Sequence, residues 1–287
     1  MLFRLGMSID EAIREYVEIG KGVFSQISEE ARSLQLEIAV GKMIQRQNGV
    51  DEVRARKMPM RVPMNSTKSR AYDIPNAFSQ WILTVNCSFV CAGRKENVTK
   101  PIHFPTWNPT SRGFIRPNCT VMEAVRATCA TPTIFKNVPI LEEANIEPLQ
   151  YTGADLRWNN PVLHVWEEAK AEFTSLNISH IVSIGTGATG IIAHGPDFST
   201  TLKNIARDCE TTYEEAAQML QQEAPKIEFI RLNVERGLQD MSWKEWEKFG
   251  VIKAHTEAYL QEQEVDKKLV NLVTHVQGVC EFQVSVL

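Results

Sequence analysis

Apolar residues recur at helical spacing near the start of the chain. Ile9, Ala12, Ile13, Tyr16, Val17 and Gly20 fall on one helix face, and Ser8-Ile9-Asp10-Glu11 places Glu three residues after Ser as a capping box. A second helical stretch of mixed polarity covers about residues 29 to 47. Residues 48 to 76 hold Gly49, Pro59, Pro63, Asn65, Ser66 and Pro75 and read as loop. Trp81 to Cys91 is rich in β-branched and aromatic residues and predicts a strand, with "KPIHF" as a short second one. Thr120-Val121-Met122-Glu123 is another capping box. Its helix should stop before Pro132, which cannot donate into a helical ladder. "VLHVWEEAKAEF" predicts a helix with Val162, Val165, Trp166 and Ala169 on one face.

"HIVSIGTG" is an apolar run that ends in Gly-x-Gly, the pattern of a buried parallel strand meeting a turn. "KIEFIRLNV" predicts one more strand. Ser242-Trp243-Lys244-Glu245 is a third capping box, and its helix sets Trp243, Trp246, Phe249, Ile252 and Tyr259 on one stripe. Strands alternating with helices predict an α/β fold with a mainly parallel sheet. No clear linker interrupts the pattern, so one domain is expected over residues 1–287.

Composition narrows the function classes. The 287 residues are 43% hydrophobic and 23% charged, with a net charge of −4, so no basic footprint for nucleic acid is present. The basic run from Arg54 to Lys57 with Arg61 is short and reads as a solvated loop. Six cysteines, at 87, 91, 119, 129, 209 and 280, form no C-x-x-C pair and match no zinc spacing. Free thiols in a reducing compartment are expected. The longest apolar stretch, "WILTVNCSFVCAG", is too short to span a bilayer, and the N-terminus has no signal-peptide pattern.

Candidate chemistry is sparse. "SIGTGATG" has no G-K-[ST] and no G-x-G-x-x-G, so a close-packed turn is preferred to a phosphate cradle. No serine stands in G-x-S-x-G. Ser183 comes nearest, inside a strand, and reads as structural. Cys129 lacks an acidic or His neighbour that would make it a thiolate, and His164 reads as a packed histidine. Asp155, in "YTGADLRWNNP", has two readings. It can take a proton from a serine hydroxyl, or accept backbone N–H bonds in an Asx-turn with Asn159 capping the next helix. On the residues alone the Asx-turn is preferred.

Several segments together carry a resemblance. "LGMSIDEAIREYVEIGKGVF", "VRATCATPTIF", "YTGADLRWNNPV", "ISHIVSIGTG", "FIRLNVERGLQD" and "WKEWEKFGVIKAHTEAYLQEQEV" resemble, in order and spacing, the fungal type of patatin-like lipid acyl hydrolases, over about residues 5 to 275. The resemblance implies a three-layer α/β/α fold with a mainly parallel sheet. Its core would run over about 5–200, followed by a C-terminal strand and helices over about 225–277. It implies a Ser–Asp dyad, a Gly-rich oxyanion loop, and hydrolysis of lipid or phospholipid esters with no metal or cofactor. Contact with membrane surfaces and a cytoplasmic location go with that class.

Two departures set the expectations. The segments holding the oxyanion loop and the serine elbow would precede Met1, so the fold is expected to be N-terminally incomplete, with an open sheet edge and no ester hydrolysis. The family's Asp falls at Gly153, six residues before Asn159, whereas the carboxylate here is Asp155, two residues later. A non-catalytic patatin-like binding or interaction module of a larger protein is the alternative.

Overall fold

The computed structural model describes residues 2–61, 89–109, 117–142, 145–155, 158–172, 178–188, 197–206, 208–239, 241 and 244–278. The chain divides into two compact units, Met1–Trp158 and Asn159–Leu287. Most of the strand expected at Trp81–Cys91, the start of the third capping box and the C-terminal tail lie outside the described residues.

The first unit opens with α1 (Leu2–Leu5), α2 (Ile9–Phe24), α3 (Glu29–Asn48) and α4 (Glu52–Arg56). Ser8 caps α2 as its sequence predicts: its hydroxyl accepts from Glu11 N at 3.3 Å, and Ser8 N donates to the Glu11 carboxylate at 2.8 Å. Gly49 ends α3 in the left-handed conformation, φ 61°, donating to Gln45 O at 2.9 Å. Then come β1 (Phe89–Arg94), β2 (Asn97–Pro105), α5 (Val121–Cys129), β3 (Val138–Ile140) and β4 (Leu149–Thr152). The Thr120 capping box starts α5, which ends before Pro132.

The four strands order as β2-β1-β4-β3, and every pair is antiparallel. This corrects the expectation of a mainly parallel sheet. The reason lies in the connections. β1 turns through Lys95 and Glu96 straight into β2, and a turn that tight can only join antiparallel neighbours. β3 and β4 are likewise joined without a crossover helix. The parallel expectation assumed one helix between successive strands, which these connections lack.

The sheet gives Ala92, Ile102, Phe104, Ile140 and Tyr151 to a core completed by Val40, Met43 and Ile44 of α3 and Val121 of α5. Phe104 and Tyr151 meet edge to face at 5.4 Å. The Tyr151 hydroxyl donates to Glu142, which also pairs with Arg94, and burial pushes the phenol well above its ordinary range. In α2 the core face is Ala12, Ile19 and Val23, whereas Ile9, Ile13 and Tyr16 of the expected stripe point to solvent.

Arg32 joins the helices to the segment after α5. Its guanidinium is buried and donates to four carbonyls: Ile134 at 2.8 Å, Thr133 at 3.3 Å, Gln26 at 3.1 Å and Ile27 at 2.7 Å. Next to it, Lys136 N donates to Ser33 Oγ at 2.9 Å.

The second unit holds α6 (Val162–Glu172), β5 (His180–Ile184), α7 (Phe198–Ala206), α8 (Glu210–Glu223), β6 (Glu228–Leu232), a 3₁₀ turn (Trp246–Lys248), α9 (Phe249–Leu260) and α10 (Gln263–Gly278). β5 and β6 pair in parallel, from His180 opposite Glu228 to Ile184 opposite Leu232. Helices fill the connection between them, as parallel strands require. Val162 and Trp166 of α6, Ile181 of β5 and Ala216 and Leu220 of α8 form one core, and Val234, Leu238, Tyr259 and Val265 a second. Four of the five β5 residues are buried, so the strand reads as interior along most of its length.

Replacing Arg32 by Met should remove four hydrogen bonds and strand the carbonyl of buried Ile134. A loss of about 3 kcal/mol is expected, since bonds to charged donors contribute roughly 1.5–3 kcal/mol. Urea unfolding of the variant checks it; an unchanged midpoint would mean that those carbonyls find water.

Candidate functional site

The chain leaves β4 through Gly153 and Ala154 and reaches Asp155. Gly153 N donates to Ala130 O at 2.8 Å and Ala154 N to Thr128 O at 3.4 Å, so the exit from β4 is tied to the end of α5. Thr152 Oγ1 adds a bond to Ala130 O at 3.2 Å. Trp158 N then closes the turn on Ala154 O at 2.8 Å. Leu156 and Arg157 lie outside the described residues.

Gly153 is glycine for a steric reason. A Cβ there would stand 2.9 Å from Thr131 N and 3.0 Å from Ala130 C, both backbone atoms that cannot swing away. It would also stand 3.2 Å from Asp155 Oδ1. The Asp155 carboxylate therefore folds back over the spot from which a side chain at 153 would project. That oxygen is shielded from solvent.

Gly153 and Trp158 line a cleft of about 550 Å³ within the first unit. Val98 of β2, Pro132, Thr133 and Phe135 form its other walls, with Lys95 and Lys136 as basic residues on the lining. The volume lies in the range of small-molecule sites, about 300–1,000 Å³. Thr133 has φ 72°, a conformation that a β-branched residue rarely takes. Arg32 donates to the carbonyl of Thr133 and to that of the next residue, Ile134. Lys136 forms ion pairs with Glu29 at 3.3 Å and Glu30 at 2.8 Å, and their hydrogen bonds raise its pKa.

The other sequence candidates lie elsewhere. Ser183 is buried in β5. Its hydroxyl donates to Asn160 Oδ1 at 3.3 Å and accepts from Arg231 Nη1 at 3.0 Å. An amide and a guanidinium do not take up a serine proton. Arg231 continues to Glu210 at 2.7 Å, Asn233 Nδ2 donates to the same carboxylate oxygen at 2.8 Å, and Gly187 N donates to Asn233 Oδ1 at 2.8 Å. A Cβ on Gly185 would stand 2.3 Å from Asn233 Oδ1. The Gly-x-Gly turn is thus packed onto side chains.

Cys129 is half-buried, yet its sulfur packs on the core, and burial pushes the thiol up to about 11 despite Arg126 nearby. His164 pairs with Glu167 one turn along α6, at 3.5 Å. At the start of α6, Asn160 Oδ1 accepts from Val162 N at 3.4 Å.

Among the described residues no group of three His, Cys, Asp or Glu side chains could hold a metal ion, and no helix is long and apolar enough to cross a membrane. No family model matches the chain, and no curated protein sequence matches it at a significant level.

Two outcomes follow from this geometry. Gly153→Ala or Gly153→Asp should destabilise by about 1–3 kcal/mol, the usual cost of overpacking, read as a lowered melting temperature. Cys129 should resist alkylation at pH 8 in the folded protein and react roughly tenfold or more faster once unfolded, because only the thiolate attacks. Peptide mass spectrometry over a time course checks this, and equal rates would place the sulfur in solvent.

Proposed function

We propose that the chain is a patatin-like lipid acyl hydrolase domain that presents the acidic member of a Ser–Asp pair, Asp155, and carries no nucleophile serine in these 287 residues. The observation that supports it most directly is the return of Asp155 Oδ1 to within 3.2 Å of the Cβ position of Gly153. Gly153 is where the resemblance puts the dyad carboxylate. The same oxygen is shielded from solvent. The order of the motifs agrees with the same family.

On this reading β5 and β6 belong to the parallel sheet of a three-layer α/β/α fold. The ligands are lipid or phospholipid esters, met at a membrane surface from the cytoplasm. No serine of the chain stands in G-x-S-x-G, so the chain alone should hydrolyse no ester. Loss of a serine nucleophile costs about six orders of magnitude in kcat. The same absence favours a second reading, a non-catalytic patatin-like binding or interaction module.

Assays with p-nitrophenyl butyrate and with phospholipid vesicles should give rates equal to buffer, and a fluorophosphonate probe should leave the protein unlabelled. Turnover abolished by Ser183→Ala would overturn the proposal. A chimera with a strand and G-x-S-x-G elbow fused ahead of residue 1 separates the two readings. The hydrolase reading expects turnover that Asp155→Asn removes, with an unchanged melt. A folded chimera whose activity ignores Asp155→Asn favours the binding module.

A further inference from the structure

Five asparagines stand two residues ahead of a serine or threonine with no proline between them: Asn65, Asn86, Asn97, Asn118 and Asn177. This is the N-x-[ST] pattern of an acceptor for N-linked sugar. Asn65, Asn86 and Asn177 lie outside the described residues. The other two differ in what the hydroxyl at the third position does.

Asn97 opens β2 at the turn of the β1–β2 hairpin, and residues 95–100 are all exposed. Its Oδ1 accepts from Thr99 N at 3.1 Å and from Thr99 Oγ1 at 2.6 Å. The side chain thus closes an Asx-turn on the residue two positions ahead. Both bonds land on the amide oxygen. They draw electron density from Nδ2, which makes its protons easier to give up, and they leave both Nδ2 hydrogens to another molecule. Asn118 has the same three-letter pattern in a different setting. The Thr120 hydroxyl donates to the Glu123 carboxylate at 2.9 Å and accepts from Glu123 N at 3.1 Å, so the capping box of α5 has taken it. Cys119, between the two, is buried. One hydroxyl is bonded to its asparagine, and the other is spent on a helix.

We propose that Asn97 is an acceptor for an N-linked oligosaccharide supplied by a lipid-pyrophosphate-linked donor. In the transfer, Asn97 Nδ2 bonds to the anomeric carbon of the first sugar. The bond from that carbon to the pyrophosphate oxygen breaks, and the pyrophosphate leaves with the electron pair. Nδ2 gives one proton to a base of the transferase, and nothing is oxidised or reduced. Lys95 and Val98, on either side of Asn97 in the chain, line the cleft of the first unit, so the sugar stands beside its opening and on the exposed rim of β2. The cysteines suit the oxidising lumen in which such donors are used. Burial pushes Cys119 up to about 12 and Cys129 up to about 11, which leaves little thiolate to oxidise. The proposal rests on the hairpin alone, does not need the dyad, and holds for the chain wherever it meets that donor.

Site-resolved mass spectrometry tests it. The full chain is produced behind a secretion leader in a eukaryotic host. Peptide N-glycosidase then marks each used asparagine by converting it to aspartate. The Asn97 peptide should carry sugar, and the Asn118 peptide should stay bare. Asn97→Gln and Thr99→Ala should each abolish the modification at that peptide, whereas Thr99→Ser, which keeps a hydroxyl, should retain part of it. Both positions are exposed, so equal melting curves confirm an intact fold. Where too little chain is secreted, the purified chain incubated with an oligosaccharyl transferase and a short lipid-linked oligosaccharide gives the same reading. A bare Asn97 would overturn the proposal. So would equal occupancy at Asn118, because the hydroxyl bonded to the asparagine would then not select the acceptor. Ester turnover by the chain would refute the hydrolase reading and leave these peptide masses untouched.

Discussion

A buried guanidinium must find an oxygen for its donors, and Arg32 finds carbonyls. Four of them, from the α2–α3 turn and from the segment after α5, converge on one side chain. Neither stretch is regular secondary structure, so neither could satisfy those carbonyls by itself. The arginine thereby fixes the path of residues 131 to 135, including Thr133 in its left-handed conformation. That path in turn sets Ala130 and Thr131 against Gly153, and through Gly153 it sets where Asp155 can lie. The candidate site is thus reached from α3 by a chain of contacts, each of which leaves the next little freedom.

The second unit uses a different device for the same need. Its parallel strands end together, and the polar groups at those ends are gathered by Glu210, Arg231 and Asn233. Ser183 joins through Arg231 and Asn160. The result is a closed set of hydrogen bonds around a turn in which Gly185 leaves no room for a side chain. A hydroxyl so placed is held by its neighbours, which is why a serine near a Gly-x-Gly turn need not be a nucleophile.

Local signals were the legible ones. The capping boxes at Ser8 and Thr120 are complete in four letters each, and both appear in the structure. "HIVSIGTG" and "KIEFIRLNV" pair in parallel because long helical connections separate them. The antiparallel sheet was not legible. β3 and β4 are three and four residues long and carry no run of alternation from which to read a face. The orientation of α2 was not legible for a related reason: periodicity shows that a stripe exists, not which neighbour covers it. At the site, the letters alone do not show that Asp155 Oδ1 stands 3.2 Å from the Cβ position of Gly153; that follows from the turn. The left-handed Thr133 had no signature in its neighbours, and Arg32, which donates to its carbonyl, lies about a hundred positions away in sequence.

β2 lies at the end of its sheet in the described residues, and its first half is exposed. Its composition there bears on how the protein behaves when crowded. Lys100 puts a charge on the rim, and Pro101 offers no N–H to an incoming strand. A foreign β-segment that tried to zip onto this rim would lose one rung of its ladder and bring its own chain against a lysine. A charge and a proline at such a rim disfavour the addition of a further strand, which is how natural sheets keep an edge from templating fibrils.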